Sequence, residues 1–183
     1  MKKLLVLIAT IMLSACSASG DTPTEQRNEI AKMQSKVLAD VETASPGALA
    51  KINAAPGYAT FSNAQINLIF VAAGGGFGVV QNNATNSKTY MDMYEGGIGL
   101  GLGAKDFRAV FVFHTVEAMD RFVEEGWGFG GEADAAAKAS DNGGEIGGGV
   151  TIGDITVYQL TETGLALQVT LKGTKYVKNE DLN

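Results

Sequence analysis

The chain has 183 residues, 45% of them hydrophobic and 19% charged, with a formal net charge of −6, one cysteine, one histidine, three prolines and 24 glycines. That apolar share can fill the core of one domain, which excludes a wholly disordered chain. A lone cysteine excludes an internal disulfide framework, and glycines without a period of three exclude collagen.

Met1, Lys2 and Lys3 form a positive start before the apolar run Leu4 to Leu13. The run is half of the roughly 20 residues a bilayer span needs, so residues 1–15 read as a secretory signal peptide. Leu13-Ser14-Ala15-Cys16 resembles the lipobox of bacterial lipoproteins. The resemblance implies that the Cys16 thiol takes a diacylglyceryl group, the chain is cut before it, and the new amine is acylated, with palmitate the expected acyl type. The alternative is an ordinary signal peptide beside a chance cysteine. Ser17 follows where an inner-membrane retention signal would place aspartate, which implies an outer-membrane lipoprotein facing the periplasm. Without residues 1–15 the chain keeps 12 basic and 20 acidic side chains, a formal charge of −8. Such a chain gains nothing from attraction to phosphates, which argues against nucleic acid as a partner and against simple adhesion to anionic headgroups.

Residues 16–23 are expected to be a lipidated flexible tether and residues 24–183 a single domain. Between Thr24 and Thr43 the residues Ile30, Met33, Val37 and Val41 recur at helical spacing, the apolar stripe of an amphipathic helix. Arg27, Lys32 and Lys36 stand among Glu25, Glu29, Asp40 and Glu42 on its polar side. Two readings are open: a membrane-facing helix, with Arg27, Lys32, Met33, Lys36 and Val37 as lipid-contact candidates, or a helix whose stripe packs on the rest of the domain. Ser45-Pro46 signals a second helix, serine as cap and proline first, ending before Pro56-Gly57.

From there the period changes to that of strands. Tyr58–Phe61 and Ile66–Ala73 read as strands, and Phe77–Gln81 with Lys88–Tyr94 as a hairpin around a polar loop. Phe107–Phe113 is a buried strand. Thr115 caps a helix with Val116, Met119, Phe122 and Val123 inward, closed by Gly126. Ile155–Leu160 and Leu165–Leu171 alternate around a turn, and Tyr176 and Val177 belong to a last short strand. The expected fold is α+β: N-terminal amphipathic helices, then a glycine-rich antiparallel β-barrel or sandwich with one inserted helix.

Nineteen glycines lie between Gly74 and Gly153, many alternating with apolar residues, as in Gly97-Ile98-Gly99-Leu100-Gly101-Leu102-Gly103. One face of such strands is bare backbone. This suits close approach of another element, tight coiling of a small barrel, or a shallow groove for an acyl chain. Gly126–Gly131 and Gly99–Ala104 fit the dinucleotide pattern, but the first follows a helix and the second precedes a strand, so neither gives the strand-to-helix turn it needs. No cofactor is expected. His114 lacks a nucleophile motif, and no metal-ligand spacing occurs. Asp92 with Glu95, and Glu132 with Asp134, read as solvated surface rather than acid–base pairs. Neither catalysis nor a metal is expected.

Pro56-Gly57-Tyr58-Ala59-Thr60-Phe61-Ser62-Asn63, Gly74-Gly75-Gly76-Phe77-Gly78-Val79 and Gly96 to Arg108 together resemble the SYLF domain. The resemblance continues through Val110–Phe113, the helix with Ala118, Met119 and Phe122, Gly130–Ala135, and Leu171-Lys172-Gly173-Thr174, covering about residues 45 to 178. It implies kinship with small secreted or lipidated bacterial proteins. It also implies kinship with eukaryotic domains that bind phosphoinositide membranes, some of which bundle actin, mainly through a basic amphipathic N-terminal segment. Arg27, Lys32 and Lys36 are the nearest counterpart here. The functional expectation is a lipid-anchored, non-enzymatic periplasmic envelope protein that binds or organises membrane lipid. The alternative is a structural or protein-interaction module of the envelope, whose partner the sequence does not name.

Overall fold

In the computed structural model the described residues are 18–68, 71–97, 103–126, 128–129, 149–161, 164–165 and 174–183. The expected signal segment, Cys16, Gly99–Gly101, Glu132, Asp134 and the strand arm beyond Leu165 lie outside them.

Helix α1 runs from Pro23 to Ala44 and starts at a capping box. The Thr22 hydroxyl accepts from the Glu25 backbone N–H, while the Glu25 carboxylate accepts from the Thr22 N–H at 3.0 Å. These bonds satisfy donors that a helix start leaves unpaired, and Pro23 sits where no N–H is needed. Hydrogen bonds from the Thr22 side chain and then from the Asp21 and Thr22 backbone hold the Glu25 carboxyl below its ordinary pKa of 4.5.

Helix α2 is Ala48–Ala54, and its N-cap is Gly47 at φ 88°, not Ser45. Ser45 instead ends α1, its N–H bonded to the Val41 carbonyl at 2.7 Å. The left-handed turn between the helices demands glycine, so the start moves two residues along. Asn83 fixes the other end of α2, donating to the carbonyls of Ile52 at 2.8 Å and Ala55 at 2.9 Å.

The strands are β1 Gly57–Leu68, β2 Val71–Asn82, β3 Lys88–Gly97, β4 Gly103–Phe113, β5 Gly128–Phe129, β6 Val150–Ile152, β7 Ile155–Thr161, β8 Gly164–Leu165 and β9 Thr174–Lys178. All belong to one antiparallel sheet in the order β5-β9-β3-β2-β1-β4-β7-β6, with β8 also on β7. Tyr58–Phe61 lies within β1, whereas the expected strand Ile66–Ala73 is divided between the end of β1 and the start of β2, which pair over their full length. Helix α3, Val116–Glu124, is inserted after β4 and capped by the Thr115 hydroxyl.

Ring contacts show that the sheet is curled. Strands β9 and β4 are four steps apart, about 19 Å in a flat sheet at roughly 4.8 Å per step. Yet Tyr176 on β9 and Phe111 on β4 have ring centroids 5.2 Å apart. Their face must be the inside of a half-barrel. Phe61, Phe111, Phe113, Tyr176, Met91 and Met93 fill it, and α3 closes it with Ala118, Met119 and Phe122. Val116 is not part of this face: it is 48% exposed, and Ala118 takes the inward place.

The inner positions of β2 around Gly78 are short of side chains because the rings need the room. A Cβ on Gly78 would collide with the Phe61 ring and the Thr60 carbonyl oxygen, and one on Gly76 with the Ser62 carbonyl oxygen. Close approach and tight coiling therefore act together here.

The outer face carries the helices. Val37 and Val41 of α1 and Ala48 and Ile52 of α2 pack on Tyr58, Val110, Val112, Tyr158 and Leu160. Ala18, Ile30, Val79 and Leu182 form a smaller adjoining cluster. Among the described residues no helix is long and apolar enough to cross a membrane.

Candidate functional site

Helix α1 presents the residues expected to meet lipid, and the sheet divides them. Val37 is fully buried and Met33 half-buried, both facing the domain rather than solvent. Gln34, a polar residue within the stripe, is buried too. It donates to the Tyr58 hydroxyl at 3.2 Å and accepts from Lys88 Nζ at 2.9 Å, which fixes the helix register on β1 and β3. Arg108 on β4 pairs with Asp40, pinning the C-terminal half of α1.

The cations differ in environment. Arg27 lies half-buried, its Nε donating to the Leu182 carbonyl at 3.0 Å and its guanidinium 5.8 Å from the Tyr90 ring centre. It ties α1 to the C-terminal segment. Lys32 and Lys36 point to solvent, with side chains 74% and 68% exposed. They pair with Glu29 at 3.4 Å and Asp40 at 2.9 Å, contacts worth about 0–1 kcal/mol each at such exposure. Lys32 and Lys36 are thus the two candidates that stand on the solvent side.

The expected tether is engaged within the domain from Ala18 onward. Ala18 is buried against Ile30, Val79 and Leu182, and the Gly20 carbonyl accepts from Gln26 Nε2 at 3.1 Å. Cys16 lies outside the described residues. The C-terminal end belongs to the same corner: Asn183 bonds the Tyr90 backbone in both directions. Asn179 Nδ2 donates to both Asp92 carboxylate oxygens at 3.0 Å. Burial nevertheless pushes the Asp92 carboxyl above its ordinary value of 3.8.

A second feature escaped sequence reasoning. Under the C-terminal end of α2 lies a cleft of about 350 Å³, mostly apolar, floored by Val112 and Tyr158. Lys51 and His114 stand at its polar side together with Thr156. His114 follows β4 directly, is exposed, and bonds through Nε2 to Thr156 Oγ1 at 2.8 Å. Thr156 Oγ1 bonds in turn to Thr151 Oγ1 at 2.8 Å. A histidine touching a hydroxyl is the beginning of a nucleophile–base pair, but this hydroxyl belongs to a residue only 5% exposed and is engaged on both sides. The group suits ligand contact better than chemistry. His114 and Thr156 are 42 residues apart, and only the β4–β7 register joins them. Among the described residues no group of three or more metal-ligating side chains gathers.

Residues 94–183 match the family described as Las17-binding protein actin regulator (Ysc84). The chain is also 31% identical over 163 residues to Beta cell expansion factor A of Aeromonas veronii, across 88% of this chain and 60% of that protein. It thus spans about three fifths of that relative's length. Gly96 to Arg108, α3 and the final strand fall within the matched residues, so the motifs that carried the SYLF resemblance there recur as a family match. Over residues 94–183 the chain is thus similar to the SYLF (Ysc84) family, described as actin regulators that bind Las17.

Proposed function

We propose that the protein is a non-enzymatic SYLF module attached to the bacterial envelope through acylated Cys16, facing the periplasm from the outer membrane, where it binds or organises membrane lipid. The observation that carries the reading is the lipobox-like Leu13-Ser14-Ala15-Cys16 placed two residues before Ala18, which is built into the domain. Two residues reach at most about 7 Å. Acyl chains on Cys16 would therefore hold the corner formed by the α1 start, Tyr90 and the C-terminal residues against the headgroups. Each buried methylene adds about 0.8 kcal/mol, and two or more chains give stable anchoring. Exposed Lys32 and Lys36 are the headgroup contacts in this reading, with Arg27 holding the corner together.

The test is flotation of the full chain, produced in a bacterium, on liposomes of several headgroups and salt concentrations, beside Cys16→Ala. The acylated chain is expected to float, with mass spectrometry showing the added lipid on Cys16. Equal flotation of Cys16→Ala would overturn the anchor, and no flotation of either protein would overturn the lipid role. Burial of the Val37 stripe supports a second reading, an envelope interaction module without a lipid ligand. Crosslinking to one specific envelope protein, with no lipid binding, would favour it.

A further inference from the structure

We propose that the cleft beneath α2 is a binding site for a single-chain amphiphile with an anionic head, a carboxylate or a phosphate monoester. The proposal is independent of Cys16 and of the α1 surface.

The cleft volume of about 350 Å³ lies at the lower end of ligand pockets, roughly 300–1,000 Å³, too small for a two-chain lipid body. Its lining is mostly apolar: Ala55 just past the end of α2, Pro56, Val112 and the Tyr158 ring, with Ala54 exposed at the rim. The walls are fixed before any ligand arrives. Asn83 clamps the α2 end through the Ile52 and Ala55 carbonyls, and its own N–H donates to the Pro56 carbonyl at 3.0 Å. Val112 and Thr156 are paired neighbours on β4 and β7. A preformed wall spares the ordering cost that weakens flexible sites.

The polar end selects charge. Lys51 forms no ion pair among the described residues, in a protein whose other α-helical lysines, Lys32 and Lys36, are both paired with acids. His114 has its Nε2 occupied by Thr156. When Thr151 donates to Thr156 and Thr156 donates to Nε2, the imidazole proton resides on Nδ1 and is left as a donor. One ammonium with an imidazole near it, beside an apolar pocket, matches an acidic head on a hydrocarbon chain. A quaternary amine would face Lys51 with like charge, and an alcohol would leave the ammonium without a counterion. The chain's net charge of −6 makes this local basic pair more distinctive.

The experiment is titration of the full chain with dodecanoate, dodecyl phosphate, dodecanol and dodecyltrimethylammonium, each below its micelle concentration, followed by calorimetry and by backbone amide shifts. Dodecanoate or dodecyl phosphate is expected to bind at least about tenfold more tightly than the other two, about 1.4 kcal/mol, and the stronger of the pair identifies the head. Shifts are expected at Ala54, Ala55, Val112 and Thr156. Lys51→Glu should weaken the acidic ligand about tenfold. Ala54→Trp, at an exposed position on the rim, should abolish binding while leaving the unfolding transition intact. Equal affinity for dodecanol, an acidic-ligand affinity within twofold in Lys51→Glu, or shifts confined to another surface would each overturn the proposal.

Discussion

Gly76→Ala separates a packing role for the glycines from a merely permissive one. Two terms oppose each other. Alanine narrows the unfolded ensemble and would stabilise by about 0.4–1 kcal/mol if the native site accepted it. The added Cβ, however, would collide with the Ser62 carbonyl oxygen and lie 3.0 Å from the Asn63 Cα and 3.1 Å from the Ser62 carbonyl carbon. All three atoms are backbone, so no rotamer change relieves the contact. The strand that must give way, β1, is bonded to β2 on one side and β4 on the other. Overpacking of this kind costs roughly 1–3 kcal/mol, which outweighs the entropic gain. The expected net loss is about 1–2 kcal/mol, a fall in Tm of about 2–8 °C for a chain of this size. Urea unfolding read by tryptophan fluorescence and by far-UV circular dichroism measures it. A variant as stable as the parent, with an unchanged urea dependence, would refute the close-approach account of β2.

Neighbouring positions on α1 should respond oppositely: Val37→Ala is expected to lose about 1–3 kcal/mol of stability, whereas Lys36→Ala stays within about 0.5 kcal/mol, because only the first is buried. Equal losses in chemical denaturation would mean that the stripe is not part of the core. Asp92 has a folded pKa raised above 3.8 by burial, so its ionised form is disfavoured in the fold. The contribution it makes is therefore fully present below the unfolded value and is lost as pH rises through the folded one. Asp92→Asn should accordingly gain stability relative to the parent as pH rises from about 4 toward neutrality. A difference between the two that stays constant with pH would contradict this sign.

Periodicity made the elements legible, because a half-buried helix and a paired strand each repeat their apolar residues at a fixed interval. The stripe Ile30, Val37, Val41 and the strand Phe107–Phe113 are both recognisable in this way. Boundaries set by backbone geometry were less so: the Gly47 cap displaced the expected Ser45 start, and the capping box added Pro23 at the front of α1. Whether the stripe of α1 faced lipid or sheet was open, since both environments select the same residues. Gln34 holds the answer, as its two hydrogen bonds require Tyr58 and Lys88 beside the helix. The cleft was illegible for a different reason. Lys51 lies on α2, His114 just after β4 and Thr156 on β7. They carry no common spacing, so only the β4–β7 pairing and the packing of α2 on the outer face bring them together.

Coverage of both sheet faces constrains how this domain can meet a membrane. An antiparallel sheet often leaves one face to solvent, but here rings fill the inner face and α1 with α2 cover the outer one. For α1 to insert into lipid, Ile30, Val37 and Val41 would have to leave sites where they are at most 1% exposed. At roughly 1.5–3 kcal/mol for each buried aliphatic side chain, release would forfeit about 5–9 kcal/mol. That is comparable to the whole stability of an ordinary domain, about 5–15 kcal/mol. The bilayer would have to return this amount before any net binding began, and the loss of the Gln34 and Arg108 contacts would add to it. Acyl chains, if carried by Cys16, and a ligand bound in the cleft would require no such unfolding. Membrane attachment through Cys16 is therefore compatible with a folded domain in a way that insertion of α1 is not, and this difference makes the Cys16→Ala flotation result decisive between them.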